Sequence, residues 1–275
     1  MTSPPDGLLD PRNGPDFDLP PCTGARTYVI ASTPRSGSTL LARLLWGTER
    51  VGAPKEYLNP MQIRDWEVRL GSRASSRLHR FLVGPAVGLA GRGRWTDARL
   101  RDHLARVRAR RSGGTDGGFF GLKLHWHHYQ QWFGSTGRSV DRWLDSPVFV
   151  RIRRPDAVAQ AVSWARALQT GAWIEKQLQS QGQAVRVPPV YNRRLIAARL
   201  ADLQAAEAGW DGVLAGRAVC EVDYDALVAD PRAVVRDVLD FLGVRSPDPG
   251  PLELPLTRQS DALSSAWIER FRTGW

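Results

Sequence analysis

A chain of 275 residues with 42% hydrophobic composition is long enough to bury one sizeable core, and we read it as a single catalytic domain. No apolar run approaches the roughly 20 residues of a membrane helix, and residues 1–10 lack the basic and apolar regions of a secretory signal, so a cytoplasmic protein is expected. The formal net charge of +10 is carried mostly by arginines scattered along the chain, which reads as a solvated basic surface and argues against a nucleic-acid groove with interleaved aromatics.

Residues 1–24 are rich in Pro, Asp and Gly and read as a flexible or loosely docked arm, with the domain proper at 25–275. The β-branched, apolar run 27–31 fits a buried parallel strand. Leu40, Leu41, Leu44 and Leu45 then share one helical face, and Ser36 or Ser38 can cap that helix. Residues 60–112 place Trp, Leu and Arg at helical spacing between glycines, a helical insertion. Strands are predicted at 119–124, 147–152 and 218–222, and helices at 156–168, 192–210 and from Pro231 to Gly243. Strands alternating with helices imply an α/β fold of three layers, α/β/α, with a mainly parallel central sheet.

Cys22 and Cys220 are distant and form no CxxC spacing, so neither a disulfide framework nor a zinc site is expected. The most informative stretch is Thr33-Pro34-Arg35-Ser36-Gly37-Ser38-Thr39, a turn of small residues between a strand and a helix. Such a turn aims successive backbone N–H groups at one point, which suits a phosphate or sulfate. Arg35 adds a planar cationic fork, Gly37 permits close approach, and Ser36, Ser38 and Thr39 offer hydroxyls. A nucleoside triphosphate loop needs Lys directly after its second glycine, whereas Gly37 is followed by Ser38. A nucleotide kinase with a degenerate loop and a non-catalytic polyanion-binding protein are the competing readings, beside an ordinary polar turn.

Four segments in order, YVIASTPRSGSTLL over 28–41, GAPKEYL over 52–58, GLKLHW over 121–126 and RPDAVAQAVSWARALQT over 154–170, resemble the PAPS-dependent sulfotransferases of the trehalose 2-sulfotransferase (Stf0) type. A weaker likeness continues through 221–224, 241–243 and 257–260 with Trp267 and Arg270. The resemblance implies a P-loop-like fold and PAPS as donor, PAP as product and no metal. It also implies that Arg154 and Ser163 hold the 3′-phosphate, with Arg153 the second choice, and that a C-terminal segment at 257–275, with Arg258 the best local match, closes over the donor. A homodimer is compatible with it.

Two residues compete for the base that takes the acceptor's proton. Glu56 stands where the trehalose-type enzymes carry their catalytic glutamate; its bland reading is a loop carboxylate paired with Lys55. Lys123 and His125 resemble the Lys-x-His of the animal enzymes and share one strand face. His127 and His128 follow, but HxHH without further ligands does not make a metal site. The expected acceptor is a carbohydrate or glycosylated metabolite, by analogy.

Overall fold

The computed structural model describes residues 8–70, 95–115, 117–171, 188–245, 248–250, 252 and 262–274. Four parallel strands, β1 (Arg26–Ser32), β2 (Phe119–His125), β3 (Val148–Arg153) and β4 (Val219–Asp223), form a sheet in the order β2-β1-β3-β4. Each predicted strand lies within a residue or two of its observed bounds, because continuous β-branched and apolar runs suit strands buried on both faces.

Alternation across β1 builds the three layers. Tyr28 and Ile30 pack with Leu41, Leu44 and Leu45 of the helix Ser38–Gly47 and with Val235, Val238 and Leu239 of the helix Pro231–Phe241. Val29 and Ala31 face the other way, toward Trp66, Leu104 and Trp210 on the helices Pro60–Arg69, Asp97–Arg111 and Arg193–Leu214. A smaller cluster ties the helix Ala157–Thr170 to Trp267 of the C-terminal helix Ala262–Thr273. The insertion expected at 60–112 thus contributes two helices to the core; residues 71–94 lie outside the described residues.

The chain leaves β1 toward β2 on one side and leaves β3 toward β4 on the other. The carboxyl ends of β1 and β3 therefore flank a topological switch point, the place where open α/β sheets form a ligand crevice. The loop of Arg35 follows β1, and Arg154 follows β3.

Residues 8–24, expected to be a flexible or loosely docked arm, include two 3₁₀ turns, Pro11–Asn13 and Pro15–Phe17, and are tied to the domain by specific hydrogen bonds. Buried Asp65 accepts hydrogen bonds from the Leu9 and Asp10 amides, both 2.9 Å, and Arg69 donates to the Asn13 carbonyl at 3.0 Å. The polar composition that suggests flexibility is here satisfied by specific long-range partners.

Candidate active site

The loop after β1 is organised by two left-handed residues, Arg35 (φ 65°) and Gly37 (φ 89°). Gly37 occupies the N-cap of the helix Ser38–Gly47 without a side-chain cap, so neither Ser36 nor Ser38 plays the capping role expected of it. Ser38 is already helical, and the Ser36 hydroxyl is fully buried with no hydrogen-bond partner among the described residues. An uncapped helix N-terminus beside an orphaned buried hydroxyl has the donors and the dipole that an anion requires.

Cations flank this loop. The Arg35 Nε donates to Ser163 Oγ at 2.9 Å, joining the loop to the helix Ala157–Thr170. Burial depresses the Arg35 guanidinium below its usual value, and the charges of Arg154 and Arg166 push in the same direction against Tyr224. The Arg154 guanidinium lies 4.8 Å from the centroid of the Tyr224 ring. Strand alternation sends Arg153 elsewhere: with Arg151 it faces Glu207, whose Oε2 lies 3.4 Å from Arg153 Nε and 2.9 Å from Arg151 Nη2. Arg154, in contrast, has no carboxylate partner among the described residues.

Glu207 also reaches the loop, accepting from Thr33 Oγ1 at 3.0 Å, while Gln160 Nε2 donates to Thr33 Oγ1 at 2.9 Å and to the Pro34 carbonyl at 2.7 Å. Two helices thus hold the loop from one side. On its other side a Cβ added to Gly37 would lie 2.4 Å from the Tyr224 ring. Gly37→Ala combines that clash with a positive φ and is expected to destabilise the fold by about 1–3 kcal/mol, seen as a lower urea midpoint at unchanged slope.

The second half of the site lies across the switch point, on β2. Lys123 and His125 share a strand face, and Ser32 is the register partner of His125 on β1. Glu56 Oε1 sits 2.5 Å from Lys123 Nζ and 3.3 Å from His125 Nε2, while Asn59 Nδ2 donates to Oε2 at 2.8 Å. Ser32 Oγ lies 2.9 Å from His125 Nδ1 and donates to the Leu124 carbonyl at 3.4 Å, so the ring sits between Ser32 and Glu56. Lys123 Nζ also donates to Thr39 Oγ1 at 2.8 Å, in the first turn of the loop helix. That bond links the carboxylate cluster to the anion loop.

Burial alone would raise the Glu56 carboxyl, but the Lys123 charge and the charge and hydrogen bond of His125 hold it well below the usual carboxylate range. His127 and His128 touch through Nε2 atoms 3.0 Å apart, and burial drives both below the ordinary imidazole value, His127 to about 4. Lys55 is not the partner of Glu56; it points away to Asp10 and Asn13. Among the described residues no cluster of His, Cys, Asp or Glu could hold a metal.

The loop with its open helix N-terminus and flanking arginines is thus joined through Lys123 to the half-buried Glu56 carboxylate. Residues 27–274 match the model of the Stf0 sulphotransferase family. The chain belongs to the Stf0 sulfotransferase family. The relatives include two trehalose 2-sulfotransferases. That of Mycobacterium tuberculosis is 30% identical over 90% of this chain and 94% of its own length. That of Mycolicibacterium smegmatis is 32% identical over 89% and 94%. A solved sulfotransferase from Alicyclobacillus acidocaldarius covers 91% of this chain and 96% of its own with a TM-score of 0.47 and 15% identity.

In this sulfotransferase the structure brings Arg35, Ser36, Gly37, Ser163 and Arg154 to one side of the switch point and Glu56, Lys123 and His125 to the other, with Ser38 and Thr39 in the helix turn between them. Arg258 lies outside the described residues, so its expected closing role is not placed. Sequence reasoning missed Asn59, Ser32 and Glu207. Asn59 had a local signal, since Asn before Pro60 is an N-cap pattern and its Oδ1 does accept from the Met61 amide. Glu207 had none, because it meets Thr33 across 174 residues of sequence.

Proposed function

We propose that this sulfotransferase moves a sulfuryl group from PAPS to a hydroxyl of a carbohydrate or glycosylated metabolite, with Glu56 as general base. The observation that carries the reading is the single Glu56–Lys123–Thr39 chain, which couples a half-buried carboxylate to the loop after β1. The loop amides, the Ser36 hydroxyl and Arg35 suit the donor's 5′-phosphosulfate, and Arg154 with Ser163 suits the 3′-phosphate.

In the reaction the acceptor oxygen forms a bond to sulfur as the bond from sulfur to the 5′-phosphate oxygen breaks, and the acceptor's proton passes to Glu56. Arg35 and Lys123 stabilise the negative charge that grows on the departing phosphate. At rest Lys123 neutralises Glu56 and makes it a weak base. An anion in the loop competes for the Lys123 ammonium, and as that cation turns toward it Glu56 gains basicity at the moment a hydroxyl must be deprotonated. His125 touches the same carboxylate oxygen and fits a role orienting Glu56.

This arrangement sets a pH signature. In the free enzyme the Glu56 carboxyl is held well below its ordinary value of 4.5, so the acid limb of kcat/KM for PAPS is expected below that pH. The kcat profile, which reports the donor-bound enzyme, is expected to lose activity at a higher pH than kcat/KM does. The stability linkage has the matching sign: a depressed folded carboxylate contributes above its unfolded value and loses that contribution as pH falls through the folded one. Paired kcat and kcat/KM profiles check this, and coincident acid limbs near neutrality would contradict it.

The activity itself is tested by incubating the protein with PAPS and candidate acceptors, beginning with trehalose because both named relatives are trehalose 2-sulfotransferases. Sulfated sugar and PAP formed in equal amounts are the expected products. PAP release without any sulfated acceptor across a sugar panel would contradict the carbohydrate assignment.

A further inference from the structure

The family match begins at residue 27, yet the segment before it is wired to the carboxylate site. Lys55 immediately precedes Glu56, and its side chain is 9% exposed. Its Nζ lies 2.6 Å from Asn13 Oδ1 and 2.9 Å from Asp10 Oδ2. Asn13 Nδ2 in turn donates to Asp65 Oδ2 and Gln62 Oε1, both at 2.8 Å, and Arg111, fully buried, donates to the Arg12 and Gly14 carbonyls at 3.1 Å. The Lys55 backbone faces β2: its carbonyl accepts from the Lys123 amide at 2.9 Å, and Lys55 forms a parallel bridge with Leu122. Lys55 thus stands between the two members of the Glu56–Lys123 pair, with its side chain fixed by the N-terminal segment.

We propose that residues 10–13 act as a strut that positions the catalytic carboxylate, with Asp10, Asn13 and Lys55 as positioning residues. The inference rests on the assignment of Glu56 as base. A buried ammonium with two partners from one segment cannot shift without breaking both contacts, so the strut fixes where the Lys55 main chain runs along β2. Glu56 inherits that placement. A displacement of a base by about 1 Å is enough to cost on the order of 100-fold in rate, so small slack in this strut is visible in kcat.

The test uses the full-length chain with Asp10→Asn and Lys55→Met, each alone and each combined with Glu56→Gln. The strut predicts a fall in kcat of at least about tenfold for each single variant, with KM for PAPS and PAP affinity unchanged. It also predicts non-additivity: in the Glu56→Gln background the same substitutions cost nothing further, because the group they position is gone. A general loss of structure would instead multiply through both backgrounds and weaken PAP binding, and that result overturns the proposal. So does an unchanged kcat in a variant that binds PAP normally. Where Asp10→Asn fails to fold because it strands a buried ammonium, Lys55→Met removes that charge and carries the test, Asp10 keeping its Arg12 partner at 2.7 Å. A Glu56→Gln enzyme as active as the parent would instead overturn the base assignment, a failure distinct from an inactive Glu56→Gln beside unaffected strut variants.

Discussion

Glu56→Gln is expected to lower kcat by about 10³-fold while leaving PAP affinity intact or improved. The amide keeps the shape and can still accept from Asn59, but it cannot take the acceptor's proton. It also releases Lys123, now held 2.5 Å from the carboxylate, to serve an anion in the loop. His125→Ala is expected to cost far less, about tenfold, since the ring touches Glu56 at 3.3 Å and orients it. Steady-state kinetics of the two variants with PAPS and a hydroxyl acceptor that the parent enzyme sulfates decide the matter. Near-equal losses, or a larger loss in His125→Ala, would transfer the base to the histidine.

The second large effect belongs to the donor pocket. Arg35→Ala is expected to weaken PAP binding by about 100-fold, because a half-buried guanidinium makes charge-assisted bonds to an anion worth about 1.5–3 kcal/mol each. It should depress kcat as well, since the same cation faces the charge that develops on the leaving phosphate. Arg154→Ala is expected to be more selective, bringing PAP affinity close to that of AMP by removing recognition of the 3′-phosphate alone. Arg153→Ala serves as the internal control, for Arg153 is engaged by Glu207 on the opposite strand face. Titration calorimetry with PAP and AMP measures all three, and a PAP preference lost in Arg153→Ala but kept in Arg154→Ala would exchange their roles.

Much of this site is legible in sequence because its parts follow local rules. A β-branched run before a small-residue turn announces a strand feeding an anion loop, and alternation on β2 places Lys123 and His125 on one face. Glu56 and His125 are rivals in one dimension; in three they are neighbours, with His125 Nε2 3.3 Å from Glu56 Oε1. The N-terminal segment illustrates what sequence conceals. Its Pro, Asp and Gly content describes a disordered arm and a docked strut equally well, and the Asp10–Lys55 ion pair that distinguishes them leaves no local periodicity. The helix cap misled for a related reason: Ser36 and Ser38 have capping chemistry, but the left-handed Gly37 takes the N-cap position and leaves the amides open.

The most direct test of the account is calorimetric titration of the intact protein with PAP, AMP and ATP–Mg²⁺. PAP is expected to bind much more tightly than AMP, with no requirement for Mg²⁺, and Arg154→Ala is expected to abolish the difference. ATP–Mg²⁺ binding without any preference for PAP would contradict it.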